Sequence, residues 1–283
     1  MIKTTATILI ALLPMIATAQ SIIYSKNDSI AIERILEKHS ATAYGSKGEL
    51  ALAVAQEFLG KRYIAGTLDR NTGEPLYISC DKLDCSTFVE LVTAITMSIG
   101  KDERTFGSVC NNLERVRYRG GIRDGYASRL HYTSWWIEDN ISKGIIKEMT
   151  EECSHRFRRL NLCFMSKHPE SYPQLKDNIE MQKRIEEFET PYRGIQSSYV
   201  PKEFLNDKEK IKQIKNGDII ALVTTTNGLD ISHVGFAYWR DGRLHLLHAS
   251  SARGKVIRDS VPLFDYQRDK RRQIGIKVLR ITE

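Results

Sequence analysis

Beyond its first 20 residues, this 283-residue chain has no long apolar run. No later segment approaches the roughly 20 apolar residues of a spanning helix, so membrane insertion is not expected. Blocks of like charge are missing too. The formal charge of +7 is spread along the chain, with nowhere five or six neighbours of one sign, so nucleic acid is not indicated as a partner. There is no close Cys-x-x-Cys pair and no His-Glu-x-x-His, so zinc is the weaker reading of the Cys and His content. Neither a metal nor a cofactor is expected. Internal repeats and low-complexity tracts are also lacking, which leaves an ordinary globular composition.

What is present begins with "MIKTTATILIALLPMIATAQ". A lysine near the start, an apolar stretch and the small residues of "ATA" form a secretory signal peptide, residues 1–19, cleaved after Ala19. The competing reading is a membrane anchor, but the stretch is short and contains Pro14. No cysteine near the cleavage point allows lipid attachment. Residues 20–283 are expected to form one exported, soluble domain, periplasmic or secreted.

Residues 27–40 read as a short amphipathic helix and 46–60 as a second helix, stopped by Gly60. "RYIAGTLD" and "EPLYI" flank a polar turn and suggest a hairpin or irregular pair. A third helix begins at Cys85 and reaches about Ser98, with residues 88, 89, 92 and 95 on one face. A mixed, polar stretch follows from 101 to about 215. After it come "GDIIALVTT", "SHVGFAYW", "LHLLHAS" and "IGIKVLRI", all strand-like. Helices first and antiparallel strands later indicate an α+β fold.

Cys85 sits where unpaired helix N–H groups and the helix dipole favour a thiolate, with Asp84 suited to cap that helix. A core thiol, a disulfide partner and a nucleophile are all open at this point. Exported chains usually pair their cysteines, and five leaves one over. If Cys85 is the free one, Cys80, Cys110, Cys153 and Cys163 allow three pairings, including a local Cys153–Cys163 bridge.

The second element is "ISHVGFAYWRDGRLHLLHAS". Asp241-Gly242 signals a tight hairpin. A two-residue turn pairs Arg240 with Arg243 and sets position 248 opposite Gly235. Side chains alternate faces, so His233 and His248 share one face as diagonal neighbours while His245 points the other way.

These residues resemble the papain-like cysteine hydrolases of bacterial cell walls, the NlpC type. The matching segments are "GKRYIAG" (60–66), "DCST" (84–87), "NGDII" (216–220), "SHVG" (232–235) and "LHAS" (247–250). Thr87 stands where the commonest pattern has glycine, and a long insertion, about 101–215, separates the cysteine helix from the strands. Together with "TLDRNTGEPLYI" and "SRLHYTSWWIEDN", the chain resembles the narrower N-acetylmuramoyl-L-alanine amidase-like branch over about 45–280.

That resemblance implies a papain-like core and cleavage of the amide between N-acetylmuramic acid and L-alanine, in peptidoglycan or soluble muropeptides. The broader superfamily more often cuts the stem peptide after D-glutamate. It also implies Cys85 as nucleophile, His233 as its acid–base partner and His248 as the third member, with the Tyr63 hydroxyl and the Cys85 N–H holding the oxyanion. Asp84 and Asp218 read as a cap and a turn residue. In the insertion, Arg129 and Tyr132 are substrate-binding candidates, Trp136 a core residue, and 175–189 a solvated helix face. An inert wall-binding module and a lipid acyltransferase are the competing classes.

Overall fold

The computed structural model describes residues 21–70 and 73–282. The expected leader lies outside the described residues, as does Asn71 of the expected turn. Helix α1 (Lys26–Ser40) starts at Ser25, whose hydroxyl accepts the Asp28 N–H while Asp28 reaches back to the Ser25 N–H at 2.8 Å. The same Asp28 carboxylate accepts the Cys80 N–H at 2.7 Å, tying the helix start to the segment that leads to Cys85. The second helix, α2 (Lys47–Gln56), is capped by Ser46.

The expected hairpin before Cys85 does not form. Strand β1 (Ile22–Ile23) pairs in parallel with β3 (Leu76–Tyr77), while β2 (Arg62–Tyr63) pairs in parallel with β4 (Lys82–Leu83). Each half of the proposed hairpin finds a non-local partner instead. Helix α3 (Cys85–Gly100) follows β4 directly. It is a core helix rather than an amphipathic one, with apolar residues such as Leu91, Ala94 and Met97 buried as well as the expected face. Phe88 meets Phe236 edge to face at 5.6 Å, which fixes the thiol-bearing end of α3 against the sheet. Helix α4 (Phe106–Arg117) packs beside α3.

The stretch read as an insertion is not a separate appendage. It contains α5 (Thr133–Ser142), β5 (Ile146–Glu148), α6 (Thr150–Cys153), β6 (Arg156–Asn161), α7 (Phe164–Lys167), α8 (Ile179–Glu189) and β7 (Arg193–Pro201). Its three strands join the main sheet. The expected solvated face at 175–189 holds α8, largely exposed except at Ile185 and Glu189.

The last third supplies β8 (Ile219–Thr224), β9 (Ile231–Arg240), β10 (Arg243–Ser250), β11 (Lys255–Arg258), α9 (Leu263–Arg268) and β12 (Gln273–Ile281). The sheet runs β4-β2-β11-β10-β9-β8-β12-β7-β6, with β5 also on β12, and is mostly antiparallel. The α+β expectation holds. Helices α1–α5 cover one face of the sheet, and a second core built on Leu222, Leu244, Leu263 and Val278 covers the other. Among the described residues no helix is long and apolar enough to cross a membrane.

All five cysteines are free, so the disulfide framework expected from the compartment is absent. Cys80 and Cys110 are buried as small hydrophobes in the main core. The local bridge fails because Cys153 packs on the second core while Cys163 lies against Gly228.

Candidate active site

The thiol is placed by a capping box. Asp84 accepts the Thr87 N–H at 2.9 Å, and its own N–H donates to Thr87 Oγ1 at 2.9 Å. Threonine at 87, a departure from the commonest pattern, therefore completes the cap that holds Cys85 at the first helical position. Asp218 is structural as expected, accepting the Lys215 N–H and two hydrogen bonds from Arg280.

The histidines are placed by the hairpin. Asp241 and Gly242 both have positive φ, and Arg240 pairs with Arg243 as the two-residue turn requires. Where β9 leaves β8, the register shifts by one residue and Ser232 bulges out, immediately before His233. A bulge next to a functional side chain re-aims it. Gly235 lies across from His248, where an added Cβ would stand 2.8 Å from the His248 Cβ. Glycine there lets the second imidazole sit close.

His233 Nε2 and His248 Nδ1 are 2.6 Å apart, with the rings nearly perpendicular. His248 Nε2 in turn faces Asp259 Oδ2 at 3.5 Å, an electrostatic contact rather than a short hydrogen bond. This sets the protons. A carboxylate only accepts, so His248 carries its proton on Nε2 and offers Nδ1 as acceptor. His233 then donates from Nε2 and keeps a lone pair on Nδ1. His245 points the other way, its Nδ1 on the Asp259 carbonyl at 3.0 Å.

Cys85 and His233 line one groove of about 290 Å3, walled also by Asp69, Arg129, His131, Tyr132, Tyr172 and Asp230. Burial, then the Asp84 charge, pushes the Cys85 thiol up to about 11, against hydrogen bonds from Val234 and Ser86 that favour the thiolate. Burial, then His248 and Lys270, pulls His233 down to about 3. Both shifts favour a neutral thiol and a neutral imidazole. Tyr63 is set beside Cys85 by the parallel register of Tyr63 with Leu83. It is half-buried and does not line the groove. Burial and the neighbouring Cys85 and Asp84 push its phenol up to about 12, so it remains a donor.

The expected substrate-binding pair is already engaged. Arg129 is buried, paired with Asp69 at 2.6 Å and Glu74 at 3.3 Å. Tyr132 donates to Glu189 at 2.6 Å and accepts the Met165 N–H at 2.9 Å. Trp136 is buried, as expected of a core residue. Tyr132→Phe is expected to cost about 1–3 kcal/mol of stability, because the buried Met165 N–H loses its acceptor, and to leave KM unchanged. Urea unfolding and steady-state kinetics check this; a KM rise at unchanged stability would make Tyr132 a substrate contact.

Sequence reading missed Asp259, because β11 is only four residues long. Its register with β10 pairs Leu247 with Arg258 and so puts position 259 on the face of His248. That pairing is the signal that finds it.

A mostly antiparallel α+β fold, with a helix-capped thiol and an imidazole lining one groove and a second imidazole buried behind, has the layout of an amidase-type hydrolase. The chain belongs to the N-acetylmuramoyl-L-alanine amidase-like family, whose model matches residues 53–276. It is similar to a crystal structure of an N-acetylmuramoyl-L-alanine amidase from Bacteroides uniformis, 37% identical, covering 84% of this chain and 100% of that one, TM-score 0.81. A Bacteroides fragilis structure named as a xylanase is 42% identical over 81% of this chain and 100% of that one, TM-score 0.78. A Legionella pneumophila protein, 23% identical over 91% of this chain and 95% of its own, TM-score 0.70, shares the fold. No curated protein matches the chain.

Proposed function

We propose that this protein is an exported, cysteine-dependent amidase with a papain-like core. It cleaves the bond between the lactyl carbonyl of N-acetylmuramic acid and the amine of L-alanine in peptidoglycan fragments. The observation that carries the proposal is the 2.6 Å His233–His248 contact, with His233 lining the same groove as Cys85. The choice of bond rests on family membership.

Cys85 Sγ attacks the carbonyl carbon as its proton passes to His233 Nδ1, so a neutral resting pair is sufficient. The oxyanion is held by the Cys85 N–H, and the Tyr63 hydroxyl, close enough to feel the Cys85 charge though not on the groove wall, is the second donor. Collapse expels the alanine amine, which takes the proton from His233. Water then attacks the thioester and gives its proton to His233. As the acyl group leaves as a carboxylic acid, which then loses its remaining proton to solvent, the thiol recovers the proton held by His233. His248, backed by Asp259, orients His233 and stabilises the cation it forms.

A glycosidic mechanism fits less well. It needs two carboxylates able to act as acid and as base or nucleophile. Those lining the groove are committed: Asp69 to Arg129, Asp84 to its cap, Glu90 to Arg117, and Asp230 to the Ser134 and Ile231 N–H groups.

Incubation with a disaccharide tetrapeptide, followed by mass spectrometry, tests the reading. The expected products are a peptide with a free L-alanine amine and a peptide-free muramyl disaccharide. A disaccharide still carrying L-alanyl-D-glutamate would make the protein a stem-peptide endopeptidase. Binding without any cleavage would make it an inert wall-binding module.

A further inference from the structure

Between Arg129 and Tyr132, both tied up in the protein, stands a side chain engaged at only one of its two polar atoms. His131 Nε2 lies 2.8 Å from the Tyr126 carbonyl. A carbonyl only accepts, so the proton is on Nε2 and Nδ1 carries a lone pair. The ring is steadied against Tyr126, centroids 4.3 Å apart. Burial, and then the Arg129 charge, keeps it neutral by holding its pKa well below the ordinary value. Among the described residues nothing donates to Nδ1. The imidazole is half-buried and lines both the Cys85 groove and an adjoining cavity of about 40 Å3 walled by Val89, Trp136 and Leu279.

We propose that His131 Nδ1 accepts an amide N–H of the substrate, fixing where the muropeptide lies relative to Cys85. This rests on the amidase reading and adds to it the residue that sets substrate register. A preoriented neutral acceptor in a half-buried wall discriminates against any ligand that brings no donor to it, because the acceptor is then left unpaired. In a muropeptide the donors nearest the scissile bond are the first peptide N–H beyond it and the acetamido N–H of the muramyl sugar, and His131 reads one of these two. His131 is a positioning residue; it takes no part in proton transfer.

The test is steady-state kinetics on a disaccharide tetrapeptide. His131→Phe keeps a ring but no acceptor and is expected to raise KM about tenfold at unchanged kcat, the loss of one neutral hydrogen bond. His131→Asn, whose Oδ1 falls near the Nδ1 position, is expected to restore KM. Two substrate analogues identify the donor: one N-methylated at the first peptide amide beyond the scissile bond, one with the sugar acetamido group replaced by an acetoxy ester. The analogue lacking the donor that is read raises the wild-type KM about tenfold and adds nothing in His131→Phe. Should His131→Phe fail to fold, the two analogues on wild-type protein decide. An unchanged KM with both analogues overturns the inference, as does a His131→Phe variant that loses kcat instead. Wild-type protein that leaves the unmodified substrate intact overturns the amidase reading itself.

Discussion

Replacing Cys85 by alanine is expected to lower turnover by about four to six orders of magnitude, the loss seen when an enzyme's nucleophile is removed. The other nucleophilic groups lining the groove, Ser86, Thr133 and Ser232, are hydroxyls, far weaker nucleophiles than a thiol. Ser86 follows on the same helix start but is exposed there, while Thr87 is buried and locked in the cap. Folding should be little affected, because alanine suits the first helical turn and the cap comes from Asp84 and Thr87. Iodoacetamide should abolish wild-type activity in the same way, while a chelator should not. Loss of activity in EDTA that zinc restores would contradict the thiol mechanism.

His248→Ala is expected to cost about two to four orders of magnitude in kcat, because His233 would lose the partner that fixes its tautomer and orientation. His245→Ala, on the opposite face of the same strand, should cost about 1–3 kcal/mol of stability and little turnover. The Asp259 carbonyl it leaves still accepts the Tyr238 hydroxyl. Asp259→Asn should fall between the two, because its contact with His248 is long at 3.5 Å. Measuring kcat and thermal stability for the three variants separates the roles. If His245→Ala is the inactive one, His245 rather than His248 supports catalysis.

What the sequence made legible was local. The Asp84 cap of α3, the Asp241-Gly242 turn and the period of two in the hairpin placed the thiol and both histidines without any long-range information, whereas the caps of α1 and α2, Ser25 and Ser46, were not read. Non-local partners stayed hidden. Tyr132 is absorbed by Glu189, which lies 57 residues further on, and Arg129 by Asp69, 60 residues earlier. Neither separation leaves a pattern to read, so both side chains looked available while His131 between them was passed over. Strands β6 and β7 were missed for a related reason. "RFRRLN" and "RGIQSSYVP" lack an apolar alternation because much of that pair faces water. Cysteine parity also misled: it assumes a small core needing staples, whereas Cys80 and Cys110 pack into a large one.

The most direct test of the account is to trap the covalent intermediate. Wild-type protein is mixed with a disaccharide tetrapeptide, quenched in acid during the first turnovers and mapped by peptide mass spectrometry. The account expects a thioester on Cys85 that carries the muramyl disaccharide and no amino acid. An adduct that also carries L-alanyl-D-glutamate would contradict the bond assignment. Sustained turnover with Cys85 unmodified throughout would contradict the nucleophile.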